Sequence, residues 1–206
     1  MANTNNAFGL RPVRYLSGAA WNGKARPYYV PDTDNTALFI GDPVVIVGDS
    51  NDNEVLGFPA GTLSEVARAS AADAAQITGV VTSVLPVTAE STIYRAASTE
   101  RVVMVCDDPN VVFEIQDDGT GSLAQDTVGL NAILASGTGS AYTGLSGFTM
   151  DGGGGTGPGV DQSYQLYILG LSNKVDNEMA DYAVWDVLIN THTFKGSTAG
   201  AILGVA

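Results

Sequence analysis

The 206-residue chain is short of the residues on which most protein chemistry depends: it has one cysteine, one histidine and three lysines. A lone Cys106 excludes a disulfide framework, and a lone His192 excludes a zinc site of ordinary composition. Charged residues make up 15 %, against a usual value of about 25 %. Long apolar runs are missing too, and none approaches the ~18 residues of a membrane-spanning helix. The first residues lack the charged-then-apolar order of a signal peptide, so the expectation is a soluble chain that does not use that route and has no membrane partner. What is present is 45 % hydrophobic residues, too many for global disorder, and 25 glycines. A chain of this size buries roughly 70 % of its unfolded surface and needs no covalent staple.

Charge is unevenly placed. Residues 1–31 carry Arg11, Arg14, Lys24 and Arg26 and no acid, whereas the rest holds all 22 acids and five bases, a net −17. An acidic body repels nucleic acid, which is therefore not an expected partner. The basic segment has two uses: lying on its own acidic body, or reaching an acidic neighbour. Pro12, Pro27 and Pro31 push their preceding residues toward extended geometry, and Phe8, Leu10, Trp21, Tyr28 and Tyr29 supply anchors. Fully extended, such a segment spans about 100 Å. The reading is an extended basic arm over 1–35, a β-rich body over 36–195 and a tail over 196–206.

From residue 36 the texture is short β-type runs between turns. Strands are expected over 36–40, 43–47, 77–86, 91–97, 101–106, 111–116, 163–171 and 182–191. In 111–116, Val111, Phe113 and Ile115 alternate with Val112, Glu114 and Gln116, the period-2 sign of one buried face. Residues 64–75 are alanine-rich and carry a helical propensity, but with Val66 as their only sizeable anchor the odds are against a regular helix. Residues 117–162 are glycine-rich and predict long loops ordering partly against a neighbour, with short strands possible at 127–134 and 146–150. The fold class is all-β: an antiparallel barrel or sandwich with an extended N-terminal arm and long Gly-rich loops.

Catalytic groups do not converge. His192 has no Gly-x-Ser-x-Gly elbow to serve, and Cys106 lies in an apolar run where cysteines are inert core residues. Gly152-Gly-Gly-Gly-Thr-Gly157 matches a dinucleotide fingerprint only formally, because Pro158-Gly159 follows where a helix must start. Asp107-Asp108 and Asp117-Asp118 bracket the run 111–116. They lack EF-hand spacing, so solvated loop carboxylates, or a docking surface for a basic arm, are preferred over a Ca²⁺ site. No catalytic residue, cofactor or metal is assigned.

Several segments together resemble a tailed-bacteriophage virion structural protein of the capsid decoration (cement) type. They are Phe8-Gly-Leu-Arg-Pro-Val-Arg14, Trp21-Asn-Gly-Lys24, Tyr28-Tyr-Val-Pro31, Ala37-Leu-Phe-Ile-Gly-Asp-Pro-Val44, Tyr94-Arg-Ala-Ala-Ser-Thr99, Val105-Cys-Asp-Asp-Pro-Asn-Val-Val-Phe-Glu-Ile-Gln116 and Thr143-Gly-Leu-Ser-Gly147. The resemblance implies a non-enzymatic protein on the outer capsid surface of the virion that bridges major capsid protein subunits. A homotrimer at a local threefold is the expected assembly, since avidity multiplies weak contacts. The expected capsid-binding residues are Phe8, Arg11, Arg14, Trp21, Lys24, Arg26 and Tyr28. Other virion roles (tail, head completion, fibre base) and a carbohydrate-binding module are the alternatives.

Overall fold

A computed structural model of the chain describes residues 3–121, 123–153 and 156–195. It is nearly all β. The strands are β1 (Arg11–Tyr15), β2 (Arg26–Val30), β3 (Pro43–Ser50), β4 (Ser64–Arg68), β5 (Gly79–Val84), β6 (Arg101–Cys106), β7 (Val111–Gln116), β8 (Asn131–Ala132), β9 (Leu134–Ala135), β10 (Thr149–Met150), β11 (Leu166–Leu171) and β12 (Val184–Ile189). Five strands close a barrel in the order β2-β4-β3-β5-β6, and five more form an open sheet in the order β1-β7-β12-β11-β8. All pairings are antiparallel except the parallel contact of β2 with β4 at Tyr29 and Glu65. The expected all-β class therefore takes the form of a closed barrel accompanied by antiparallel sheets.

Alternation sorts side chains between the barrel interior, a larger core against the sheet and a smaller cluster of Tyr29, Val55, Leu63 and Val102. Val103 and Val105 of β6, Val81 of β5, Val66 of β4 and Val44 of β3 point into the barrel with Tyr28, Val30 and Leu38. Val80 and Cys106 point the other way, into a larger core against the inner face of the sheet, where Phe113, Ile115, Trp185, Val187 and Ile189 lie. Residues 64–68 are a strand, because Val66 is needed inside the barrel and its neighbours pair with β3 and β2. Tertiary pairing overrides the helical propensity of this segment. Residues 36–40 and 91–97 make only single bridges, Leu38 to Arg95 and Ile40 to Leu145. Residue 95 turns inward instead of continuing a ladder. Its guanidinium, wholly buried, donates to the carbonyl oxygens of Pro31, Asp34, Thr36 and Thr99.

The glycine-rich region packs on its own chain. A Cβ on Gly137 would lie 2.0 Å from the carbonyl oxygen of Gly147, so the two backbones meet at a distance only glycine permits. Gly9 and Gly41 meet in the same way, each at positive φ, which locks the N-terminal segment onto the barrel. The sequence-based tail over 196–206 lies outside the described residues.

Candidate functional site

The residues expected to bind a capsid converge on the N-terminal segment, and the structure places that segment on the body. β1 is an edge strand of the open sheet, and β2 is one stave of the closed barrel. Within the extended arm expected over 1–35, two segments are integral strands, β1 paired with β7 and β2 paired with β6. The physical reason lies in the acidic body itself. Arg11 donates to Glu114 at 2.6 Å, Arg14 to Asp186 at 2.7 Å, and Arg26 lies 3.1 Å from Asp107. Of the two uses open to a basic segment, the chain itself takes the first.

Each expected contact residue has a definite place. Tyr28 is buried and donates its hydroxyl to Asp107 at 2.7 Å. Burial and that carboxylate push its phenol well above the ordinary value. It is a barrel residue, and filling an external pocket is excluded for it. Trp21 is half-buried against the larger core. Phe8 is half-buried beneath two cations, with the Arg11 guanidinium 4.8 Å and the Lys174 ammonium 5.6 Å from its ring centre. Lys24 is exposed. The side chains of Arg11 and Arg26 stay 53 % and 62 % exposed despite their ion pairs, so their outer N–H groups still face solvent.

Glu114 is the hub of this surface. It is buried, and its carboxylate accepts from Arg11, Lys174 and Ser172. Burial alone would raise this carboxyl, but hydrogen bonds from Lys174, Arg11 and Ser172 outweigh it and hold the group below the ordinary glutamate value. Next along β7, Gln116 accepts from the Asn6 N–H and donates to the Thr4 carbonyl. Asn3 is bonded to the backbone of 178–181. The result is that β7 is buried on both faces, where one buried face was expected. Lys174 was missed from sequence, although it is the only lysine between Lys24 and Lys195.

Two recesses flank Phe8 and Arg11. One, of about 300 Å³, lies between the N-terminal segment and the barrel and is walled by Leu10, Pro12, Trp21, Ile40, Val81 and Leu145. The other, of about 330 Å³, is polar and walled by Asn3, Asn6, Gln116, Lys174 and Asn177. Phe8 and Trp21 thus line recesses of their own chain, whereas Tyr28 lies inside the barrel.

The remaining chemical candidates are structural. Asp117 is buried and accepts four N–H donors, from Gly119, Tyr182, Ala183 and the Trp185 indole. Asp118 accepts from Thr120 and Gly152, and Asp108 from the Asn110 N–H. Each of the four carboxylates of the acidic pairs therefore accepts from a donor of its own chain, and Asp107 and Asp117 are buried where solvated side chains were expected. Among the described residues no group of three or more His, Cys, Asp or Glu side chains is disposed to hold a metal ion. Burial pushes the Cys106 thiol up to about 12 and, with Lys195 nearby, the His192 imidazole down to about 4. Trp185 is fully buried, so it offers no platform to a sugar. Among the described residues no helix is long and apolar enough to cross a membrane.

No family model, curated protein or solved structure matches this chain. The functional reading therefore rests on the residues themselves.

Proposed function

We propose that the protein is a non-enzymatic decoration protein of a tailed-phage head, bound to the outer capsid surface and bridging major capsid protein subunits. The observation that carries the proposal is the N-terminal surface. The segment that opens the resemblance presents Arg11, at the rim of an apolar recess, together with Lys24 and Arg26 to solvent, on a molecule of net charge −13. Such an arrangement orients the molecule, cationic side first, toward an acidic protein shell, and the recess receives an apolar side chain from it. Because the segment is already ordered on the body, little conformational entropy is lost on docking.

Removing residues 1–31 would take away β1 and β2 and unfold the body, so the test uses point substitutions. Lys24→Glu reverses an exposed charge and keeps every strand and every ion pair described above. Occupancy on purified capsids should fall by about tenfold or more while the melting temperature changes little. Full occupancy by the folded variant would overturn this mode of docking. A tail or head-completion role is the alternative, and it is separated by copy number in the particle.

A further inference from the structure

A second surface differs from everything around it. From Thr127 to Met150 the chain has no charged residue, in a protein of net charge −13. The exposed part of that stretch, 136–143, packs beside 36–40 and 86–95. Ile40 donates to the Gly144 carbonyl at 2.9 Å, Ser146 to the Ile40 carbonyl at 2.8 Å, and Phe39 stacks on Tyr94 with ring centres 4.8 Å apart. Gly144, at positive φ, approaches Ile93 so closely that a Cβ would lie 2.7 Å from its Cδ1. Three large apolar side chains stand out from this face: Tyr142 at 94 % exposure, Ile93 at 53 % and Val87 at 52 %. Glu90 is the one exposed charge on the 86–97 loop, since Arg95 points inward and is fully buried.

We propose that this face, centred on Tyr142 and Ile93, is where copies of this chain contact one another. The argument is electrostatic. Two bodies of net charge −13 repel wherever their acidic surfaces meet, and a face whose one exposed charge is Glu90 is where they can approach at least cost. A cationic partner would gain nothing here, because the face has almost no charge to pair with. The geometry suits an anchor as well. The Tyr142 turn is closed by Gly144 N–H to Ser140 carbonyl at 2.8 Å and Ser140 N–H to Leu145 carbonyl at 2.9 Å, so the ring is presented from a fixed loop. Tyrosine on rigid backbone is a residue type that dominates interface energetics. Oligomer formation at this face stands independently of capsid binding.

The test is sedimentation of the free full-length chain across concentration and salt. The expected result is a mass that is a small multiple of 21.2 kDa and an association that tightens as salt screens the acidic bodies. Tyr142→Glu with Ile93→Glu should weaken association by about 100-fold and leave a folded monomer with an unchanged circular dichroism spectrum. Both side chains are exposed, so folding is not at stake, and Tyr142→Ser provides a milder second variant. A wild-type monomer at high concentration would overturn the proposal. So would association that weakens with salt, or an oligomer that survives the double substitution.

Discussion

The barrel and the open sheet handle their edges and outer faces in opposite ways. The barrel abolishes edges by closing β6 onto β2, and its interior is a set of valines with Leu38 and Tyr28, whose hydroxyl is held by Asp107. The open sheet keeps its edges and covers β7, the strand beside its β1 edge, with charge: the Glu114 carboxylate is held by Arg11 and Lys174. Its inner face is anchored on Trp185, whose indole N–H is held by Asp117. The barrel thus adds one ion pair, Arg26 to Asp107, to its packing, whereas one face of the sheet carries the network of Arg11, Lys174 and Glu114 beside Arg14 and Asp186. The basic segment is the component that serves both, as β2 in the first and as β1 in the second.

Truncation inside either core sets the upper limit of the contrast. Trp185→Ala should cost about 3–5 kcal/mol and Leu38→Ala about 2–5 kcal/mol, read by urea denaturation, because both side chains are fully buried. If the halves fold as one unit, both variants shift a single transition; two transitions would separate barrel from sheet.

Acid probes the junction next. His192 bridges to Ile77, two residues before the barrel strand β5, and burial and Lys195 push its imidazole down to about 4. A depressed imidazole is neutral when folded, so the unfolded chain binds the proton first. Its contribution is therefore present above about pH 6.5 and is lost as pH falls toward 4. Between pH 7 and 5 the loss should be about 2 kcal/mol. The buried carboxyls of Asp42 and Asp117, raised by burial, titrate in the opposite sense. The difference in slope between wild type and His192→Gln isolates the imidazole, and equal slopes would remove it from the account.

Glu114→Gln tests the ionic cover alone. Losing the carboxylate leaves Arg11 and Lys174 without their shared partner, and the expected cost is about 2 kcal/mol at pH 7. Because Glu114 is held below its ordinary value, its contribution is present at neutral pH and disappears only as pH falls through that lowered value. The variant should therefore lose its deficit in strong acid. Arg14→Ala is the smallest change. Its pair with Asp186 is part-exposed, and the cost should stay below about 1 kcal/mol.

The same contrast governs what was legible in the sequence. β6 and β7 appear at the positions expected, because apolar β-branched runs are cut sharply by Asp107-Asp-Pro-Asn110. The barrel's interior follows from alternation and could be read locally. The outer face of the sheet could not, because Arg11 and Glu114 are 103 residues apart and Arg14 and Asp186 are 172 apart. The composition marked the basic segment as a docking element, and it docks on its own chain. Residues 91–97 look like a strand, yet nothing local announces that Arg95 will turn inward to gather four carbonyls. Exposure is equally hidden: Tyr142 reads like any tyrosine in a glycine-rich stretch.

The proposal that this chain decorates a phage head is tested most directly by counting it. Quantitative mass spectrometry of purified particles gives its copy number relative to the major capsid protein. The account predicts a ratio near one or a simple fraction of it, as a component repeated over the whole shell requires. A ratio of a few per cent or less, or absence from the particle, would contradict it.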